Sequence, residues 1–348
     1  MLPAVSLLLA FVGAVWAKSS SDNIVIEDIF DRSYCGVTSA KHRPYIVGDH
    51  GIDKHGRIDS SARKPRRRFK VTHGVKAKNF SWPFMAAIRR DRNVICGGVL
   101  ITPQHVLTAT HCLWRSADDR EVVDTDFLFD YDVVIRTNVV GSDGIGKTGV
   151  AVKLEQWYTF PEPVGTVLRN DLAILKLSRS VAPELSEGQR ERVNEVCVPD
   201  RSVNITVLVG NSERKGKKQT MALIGWGSTS KDITSDYLEE GKAVPSFCYS
   251  DKLRYKSGDH KGEVNMDRHR RYFICTKPES TDHCPGDSGG PLLLLHNRRW
   301  FVVGVVSHTL SAWKCGSGEF SVYTKVDYDR YRRWIRQTVA DTWTDEVD

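Results

Sequence analysis

The 348-residue sequence predicts an all-β protein that ends in an α-helix. Short apolar runs alternate with turns from Phe84 to Leu113, from Lys153 to Leu177, and over Met221-Ala222-Leu223-Ile224-Gly225-Trp226-Gly227. Brief runs bounded by turn residues suit strands better than helices. Long stripes at helical period are rare until the C-terminal end. There Tyr328, Tyr331, Trp334, Ile335, Thr338 and Val339 recur at helical spacing and predict one packing face. Arg332, Arg333 and Arg336 fall on the other faces and are expected to meet solvent. At 40% hydrophobic residues the chain can fill one large core or two smaller ones.

Taken in order, Met1 to Ala17 is an apolar leader centred on Leu7-Leu8-Leu9-Ala10-Phe11-Val12, with small residues at Val15 and Ala17. No basic side chain lies near Met1, and the run is short for a membrane span. Residues 1–17 therefore read as a removed signal peptide, the protein as secreted, and no membrane span is expected. Eight cysteines, an even number, suit disulfides in an oxidising compartment. Zinc is the rival use, and no C-x-x-C pair supplies its ligand spacing. Spacing alone leaves the pairing open.

Residues 18–70 are polar and lack sustained apolar periodicity, so they read as an extended pro-segment. This segment holds 12 basic and 7 acidic residues, and so most of the formal +7 of the chain. The excess points to processing rather than to a nucleic-acid partner. The segment ends in Arg63-Lys64-Pro65-Arg66-Arg67-Arg68-Phe69-Lys70, and Val71-Thr72-His73-Gly74 follows at once. On composition alone that run is equally a solvated linker.

Chemistry concentrates in Asp282-His283-Cys284-Pro285-Gly286-Asp287-Ser288-Gly289-Gly290-Pro291. Glycines around Ser288 let the chain turn sharply and aim backbone N–H groups into one small space. Such donors stabilise the oxyanion formed when a hydroxyl attacks a carbonyl. A lone G-x-S-x-G is as readily a surface turn. Ser288 needs a base, and Thr108-Ala109-Thr110-His111-Cys112 offers His111 after the apolar run Val99-Leu100-Ile101. Asn170-Asp171-Leu172-Ala173-Ile174-Leu175-Lys176-Leu177 offers Asp171 at the head of a buried-looking strand. Taken alone, His111 could be a buried structural histidine; three motifs together weigh against that.

The order His, Asp, Ser in these contexts resembles the chymotrypsin/trypsin family of serine proteases, from about Val71 to the C-terminal helix. The resemblance implies two packed six-stranded antiparallel β-barrels with the active site between them, in a protease domain over residues 71–348. It makes Ser288 the nucleophile, His111 the general base and then acid, and Asp171 the carboxylate that orients the imidazole. Gly286 and Ser288 would supply the oxyanion N–H groups. That chemistry requires no cofactor. The resemblance also supplies the disulfides: Cys96–Cys112, Cys248–Cys275, Cys284–Cys315, and Cys35–Cys197 joining the pro-segment to the body. Counting back from Trp82-Pro83 puts the family's mature terminus at Val71 rather than Phe69. Cleavage after Lys70 would free an α-ammonium able to pair with Asp287, which makes the chain a zymogen. Expected partners are protein or peptide substrates, an activating protease and protein protease inhibitors. A non-catalytic binding protein on the same fold is the competing class.

Primary specificity gives mixed signals. Asp282 lies where trypsin-like relatives carry the carboxylate that selects Lys or Arg. Ser307-His308-Thr309 stands where relatives often have Ser-Trp-Gly, and Phe320-Ser321-Val322-Tyr323-Thr324 where Pro-Gly-Val-Tyr-Thr is common. Thr309 and Ser321 thus replace wall glycines, and His283 is larger than the residue usual beside the pocket floor. Preference for Lys or Arg is expected, with an elastase-like pocket for small residues as the alternative. Two further loops stand out. The acidic stretch from Asp118 to Asp132 lies where some relatives bind calcium, but it lacks EF-hand spacing and reads as a solvated loop. Ser250 to Arg271 is a polar, basic decoration between two cysteines. Asn79-Phe80-Ser81 and Asn204-Ile205-Thr206 are glycosylation sequons.

Overall fold

The computed structural model describes residues 30, 35–38, 44, 74–114, 122, 125–140, 148–164, 169–181, 193–214, 219–228, 235–246, 253–257, 260–264, 271–276, 283–309 and 321–343. Val75–Lys76 (β1) is followed by Met85–Arg90 (β2), Asn93–Thr102 (β3), His105–Thr108 (β4), Tyr131–Ile135 (β5), Val150–Thr159 (β6) and Ala173–Leu177 (β7). Strands β2 to β7 close into a barrel in the order β2-β3-β4-β7-β6-β5. Every pair is antiparallel, and β5 returns to β2 with Ile135 opposite Ala86. Strands β4 and β7 are buried at every residue, His105, Thr108 and Lys176 included. Along β6 Val152 and Leu154 turn inward while Lys153 and Glu155 face out, the two-residue period of a pleat. Side chains as enclosed as Ile88 and Leu107 contribute about 1.5–3 kcal/mol each relative to exposure.

The second half holds Met221–Gly225 (β8), Glu239–Ala243 (β9), Pro245–Ser246 (β10), Leu253–Ser257 (β11), His260–Val264 (β12), Phe273–Thr276 (β13), Pro291–His296 (β14), Arg299–Thr309 (β15) and Ser321–Lys325 (β16). These form a curled eight-stranded sheet in the order β1-β9-β8-β14-β15-β16-β13-β10, with β11 and β12 as a separate hairpin. The two-residue strands β1 and β10 are its edges, so six strands make up its body. The double-barrel expectation is met by one closed barrel and this sheet.

Two α-helices complete the described elements named here: α1, Ile205–Arg214, and α2, Asp329–Thr342. Helix α2 buries Tyr331, Ile335 and Val339, three of the residues whose spacing predicted it. One expectation fails. Arg332 is buried and ion-paired with Asp329 one turn earlier, rather than facing solvent. A long apolar stem lets an arginine lie under a surface while its head finds a carboxylate. Arg333 is exposed, and the Arg336 guanidinium lies 4.9 Å over the Phe30 ring.

Part of the leading segment belongs to this body. Cys35 is bonded to Cys197, and Phe30 is buried in the main core. Gly36 donates its N–H to the Glu195 carbonyl at 2.7 Å and accepts the Trp300 N–H at 2.9 Å. It sits at φ +66°, and a Cβ there would meet the Trp300 carbonyl at 2.2 Å. Only glycine fits both constraints. Cys96 is bonded to Cys112. Cys275 and Cys284 are disulfide-bonded as well, to partners outside the described residues. Among the described residues no helix is long and apolar enough to cross a membrane.

Candidate active site

His111 is carried by a 3-10 turn, Thr110–Leu113, that follows β4. Asp171 lies two residues before β7, the barrel neighbour of β4. The Thr110 hydroxyl stitches the two loops together, donating to the Leu172 carbonyl at 2.9 Å and accepting the Leu172 N–H at 3.1 Å. Asp171 Oδ1 then accepts the His111 backbone N–H at 2.9 Å, and Oδ2 meets His111 Nδ1 at 2.8 Å. A third donor, the Ser307 hydroxyl from β15, reaches Oδ2 at 2.5 Å. Asp171 is wholly enclosed, while His111 keeps 17% of its side chain exposed. Burial opposes charge on both groups, but their mutual attraction and hydrogen bonds outweigh it. The carboxyl is held below its ordinary pKa and the imidazole above 6.5.

Ser288 comes from the opposite half, on the turn before β14. Its carbonyl accepts the Gly97 N–H of β3 at 2.8 Å, which sutures the Ser288 loop to the barrel. A Cβ on Gly97 would meet the Gly290 Cα at 3.1 Å, so the two chains pass close together. Gly286 at φ +97° turns the chain ahead of Ser288. Neither Gly286 nor Ser288 gives its N–H to a carbonyl among the described residues. Asp287 between them is buried, with Oδ1 accepting the Gly227 N–H at 2.7 Å and Oδ2 the Cys284 N–H at 2.9 Å. The Ser288 hydroxyl makes no hydrogen bond to a described residue, His111 included.

The trypsin family model matches residues 71–335. The chain belongs to the trypsin family. Spermosin of Halocynthia roretzi is 27% identical over 281 residues, covering 76% of this chain and 61% of spermosin. The phenoloxidase-activating enzyme of Bombyx mori is 27% identical over 298 residues, covering 78% of this chain and 60% of that enzyme. The chain spans about three fifths of the length of each of these relatives.

Other residues singled out in the sequence fall at several places in this trypsin-like serine protease domain. Lys70, Val71, Asp282, Cys248, Cys315 and the Thr309 side chain lie outside the described residues. Ser321 is buried at the start of β16, opposite Thr276 and Thr309 in register. His283 is buried edge-on to Tyr323, with ring centroids 5.5 Å apart, and its Nδ1 has no hydrogen-bond partner. Burial, helped by His308 and His111, pulls its pKa to about 3, so its imidazole is neutral. Among the described residues only Cys96, His111 and Cys112 gather closely enough to suggest a metal. The two sulfurs form a disulfide and offer no thiolate. In the acidic stretch Asp132 is engaged by Arg89. Asn79 and Asn204 are both exposed, and Asn204 Oδ1 accepts the Val207 N–H at 3.1 Å to cap α1. Ser307, expected from the sequence to line the substrate site, donates its hydroxyl to Asp171.

Proposed function

We propose that this chain is the zymogen of a secreted serine endopeptidase. The observation that carries the proposal is the Asp171 carboxylate gripping His111 by backbone and ring beside a loop that presents Ser288. In the proposed reaction Ser288 Oγ adds to the scissile carbonyl while its proton passes to His111 Nε2. Negative charge grows on the former carbonyl oxygen, where the uncommitted N–H groups of Gly286 and Ser288 would receive it. His111 returns the proton to the leaving amine as the C–N bond breaks, and water repeats the sequence on the acyl-enzyme. Asp171 holds the tautomer and balances the imidazolium throughout.

Activation would follow cleavage at Lys70–Val71. The new α-ammonium would pair with Asp287, whose carboxylate already receives two backbone donors. An open Ser288–His111 contact suits a precursor whose nucleophile loop has yet to tighten, since catalytic hydrogen bonds are often long before the productive complex forms. For the primary pocket we propose Lys or Arg, drawn by Asp282. A neutral His283 adds bulk there without repelling a cation. An elastase-like pocket is the second reading, favoured by the extra bulk at His283, Thr309 and Ser321. Resemblance to a phenoloxidase-activating enzyme supports a place in a proteolytic cascade, with an upstream activating protease and protein inhibitors as partners.

The test is direct. Trypsin treatment of the precursor should expose a Val-Thr-His-Gly terminus and allow a serine-directed phosphonate to label the domain, with Ser288→Ala abolishing the label. Lysine and arginine peptides should be cleaved. A correctly processed protein that takes no label is a binding protein on this fold. One that cleaves only after Ala or Val has the elastase-like pocket.

A further inference from the structure

Asn170, the residue before the orienting carboxylate, has φ +68°, in the left-handed region that side chains with a Cβ rarely adopt. Asparagine takes this region more readily than most residues, and here it is also held by a group from the other end of the chain. The Tyr331 hydroxyl of α2 accepts the Asn170 N–H at 3.0 Å and donates to Asn170 Oδ1, also at 3.0 Å. One phenol thus chelates the backbone and side chain of a single residue. Asn170 Nδ2 adds a bond to the Pro163 carbonyl at 3.2 Å, and Thr324 donates to the Asp171 carbonyl at 3.1 Å. Tyr331 is itself immobilised. It is fully buried, edge-on to Phe160 and Tyr328, each with centroids at 5.0 Å. Burial lifts its pKa above the ordinary phenol value despite Arg169 nearby, with Tyr272 and Tyr328 acting in the same sense. The hydroxyl therefore keeps its proton, and can donate, throughout the working pH range.

We infer that Tyr331 is a positioning residue for the catalytic centre. Through Asn170 it fixes the backbone turn that aims the Asp171 carboxylate at His111. The C-terminal helix is then part of the catalytic apparatus although it touches no substrate. Asp171 directly follows this left-handed residue, and its carboxylate bonds both the ring and the backbone of His111. Loss of the phenol oxygen would leave an N–H and an amide oxygen unpaired in a buried site, and relaxation of the turn is how the chain would satisfy them.

Tyr331→Phe keeps the ring and removes only the oxygen. In the activated protein it should lower kcat about tenfold with little change in KM, the signature of an interaction that matters in the transition state. Independently of turnover, the His111 imidazole followed by NMR should titrate at lower pH than in the unsubstituted protein. Of the titratable groups that act on His111, Asp171 bonds its ring and raises its pKa, while neutral His283 interacts with it without holding a charge. Asn170→Gly, which tolerates the left-handed turn, should shift the titration the same way, and adding Tyr331→Phe to it should cost little more. This second variant also serves if Tyr331→Phe does not fold. An unchanged kcat and an unchanged His111 titration in folded Tyr331→Phe, whatever happens to its melting temperature, would overturn the inference. So would full additivity of the two substitutions. Positioning rests on the protease proposal only where turnover is measured. An inactive parent protein whose His111 still responds to Tyr331→Phe would sink the protease reading and leave the positioning role standing.

Discussion

His111 can accept the Ser288 proton only while its imidazole is neutral, so its surroundings set the pH at which the proposed enzyme works. Burial pulls the pKa down, but the charge and hydrogen bond of Asp171 raise it more, and the balance lies above 6.5. The rate constant kcat/KM should therefore climb with pH through an acidic limb centred above 6.5. Asp171→Asn should lower kcat by roughly 10⁴, because an amide in that place favours the wrong tautomer. A bell with its acidic limb near 5 would contradict the assignment of His111 as base. Ser307 sharpens the point. Its hydroxyl donates to Asp171 Oδ2, so a position expected at the substrate site also supports the carboxylate beside His111.

Among the elements, α1 and α2 show what a sequence does and does not disclose. Helix α2 was legible because its buried face repeats at 3.6 residues and its core residues are large. Helix α1 was not. It opens Ile205-Thr206-Val207, β-branched residues that locally favour a strand, and what fixes it is capping. Asn204 caps it within the sequence, but the Ile205 N–H is met by Asp327 Oδ2 at 2.9 Å, a partner more than a hundred residues away. Buried Arg332 was missed for a similar reason, since burial of a long cation depends on a neighbour the periodicity cannot name. His111, Asp171 and Ser288 stood out because each sits in a local motif, whereas the bonds of Tyr331 to Asn170 and of Ser307 to Asp171 cross the fold and leave no mark in the local sequence. Helix α2 also anchors β4: the buried His105 bonds Thr102 Oγ1 at 2.7 Å and Thr342 Oγ1 at 3.0 Å. Burial first, then the Lys176 charge, lower its pKa from 6.5 to about 4. A depressed folded-state pKa means the stabilisation is complete above pH 6.5 and is lost as pH falls through 4. The loss should reach about 3 kcal/mol. Urea midpoints measured between pH 7 and 4 should fall accordingly, and His105→Gln should flatten that slope. A slope unaltered by the substitution would show that other groups carry the acid sensitivity.

For the whole molecule the consequential bond is Cys35–Cys197, which spans 162 residues of sequence. Loop-closure entropy gives a link of that span about 5 kcal/mol, against about 3 kcal/mol for the 16-residue Cys96–Cys112 loop. Gly36 and Phe30 reinforce it without covalent help. If the proposed cut after Lys70 is made, the two pieces should migrate as one species on a non-reducing gel and as two after reduction. Separation without reductant would show that the Cys35–Cys197 link does not hold in solution. The strap also decides what travels with the enzyme. Cleavage would create a new chain end and release no free peptide, so the polar, basic stretch ahead of Val71 would ride on the working protease as cargo. Whatever docks to that stretch, a matrix or a carrier, would keep the active enzyme tethered at the place where its precursor was stored.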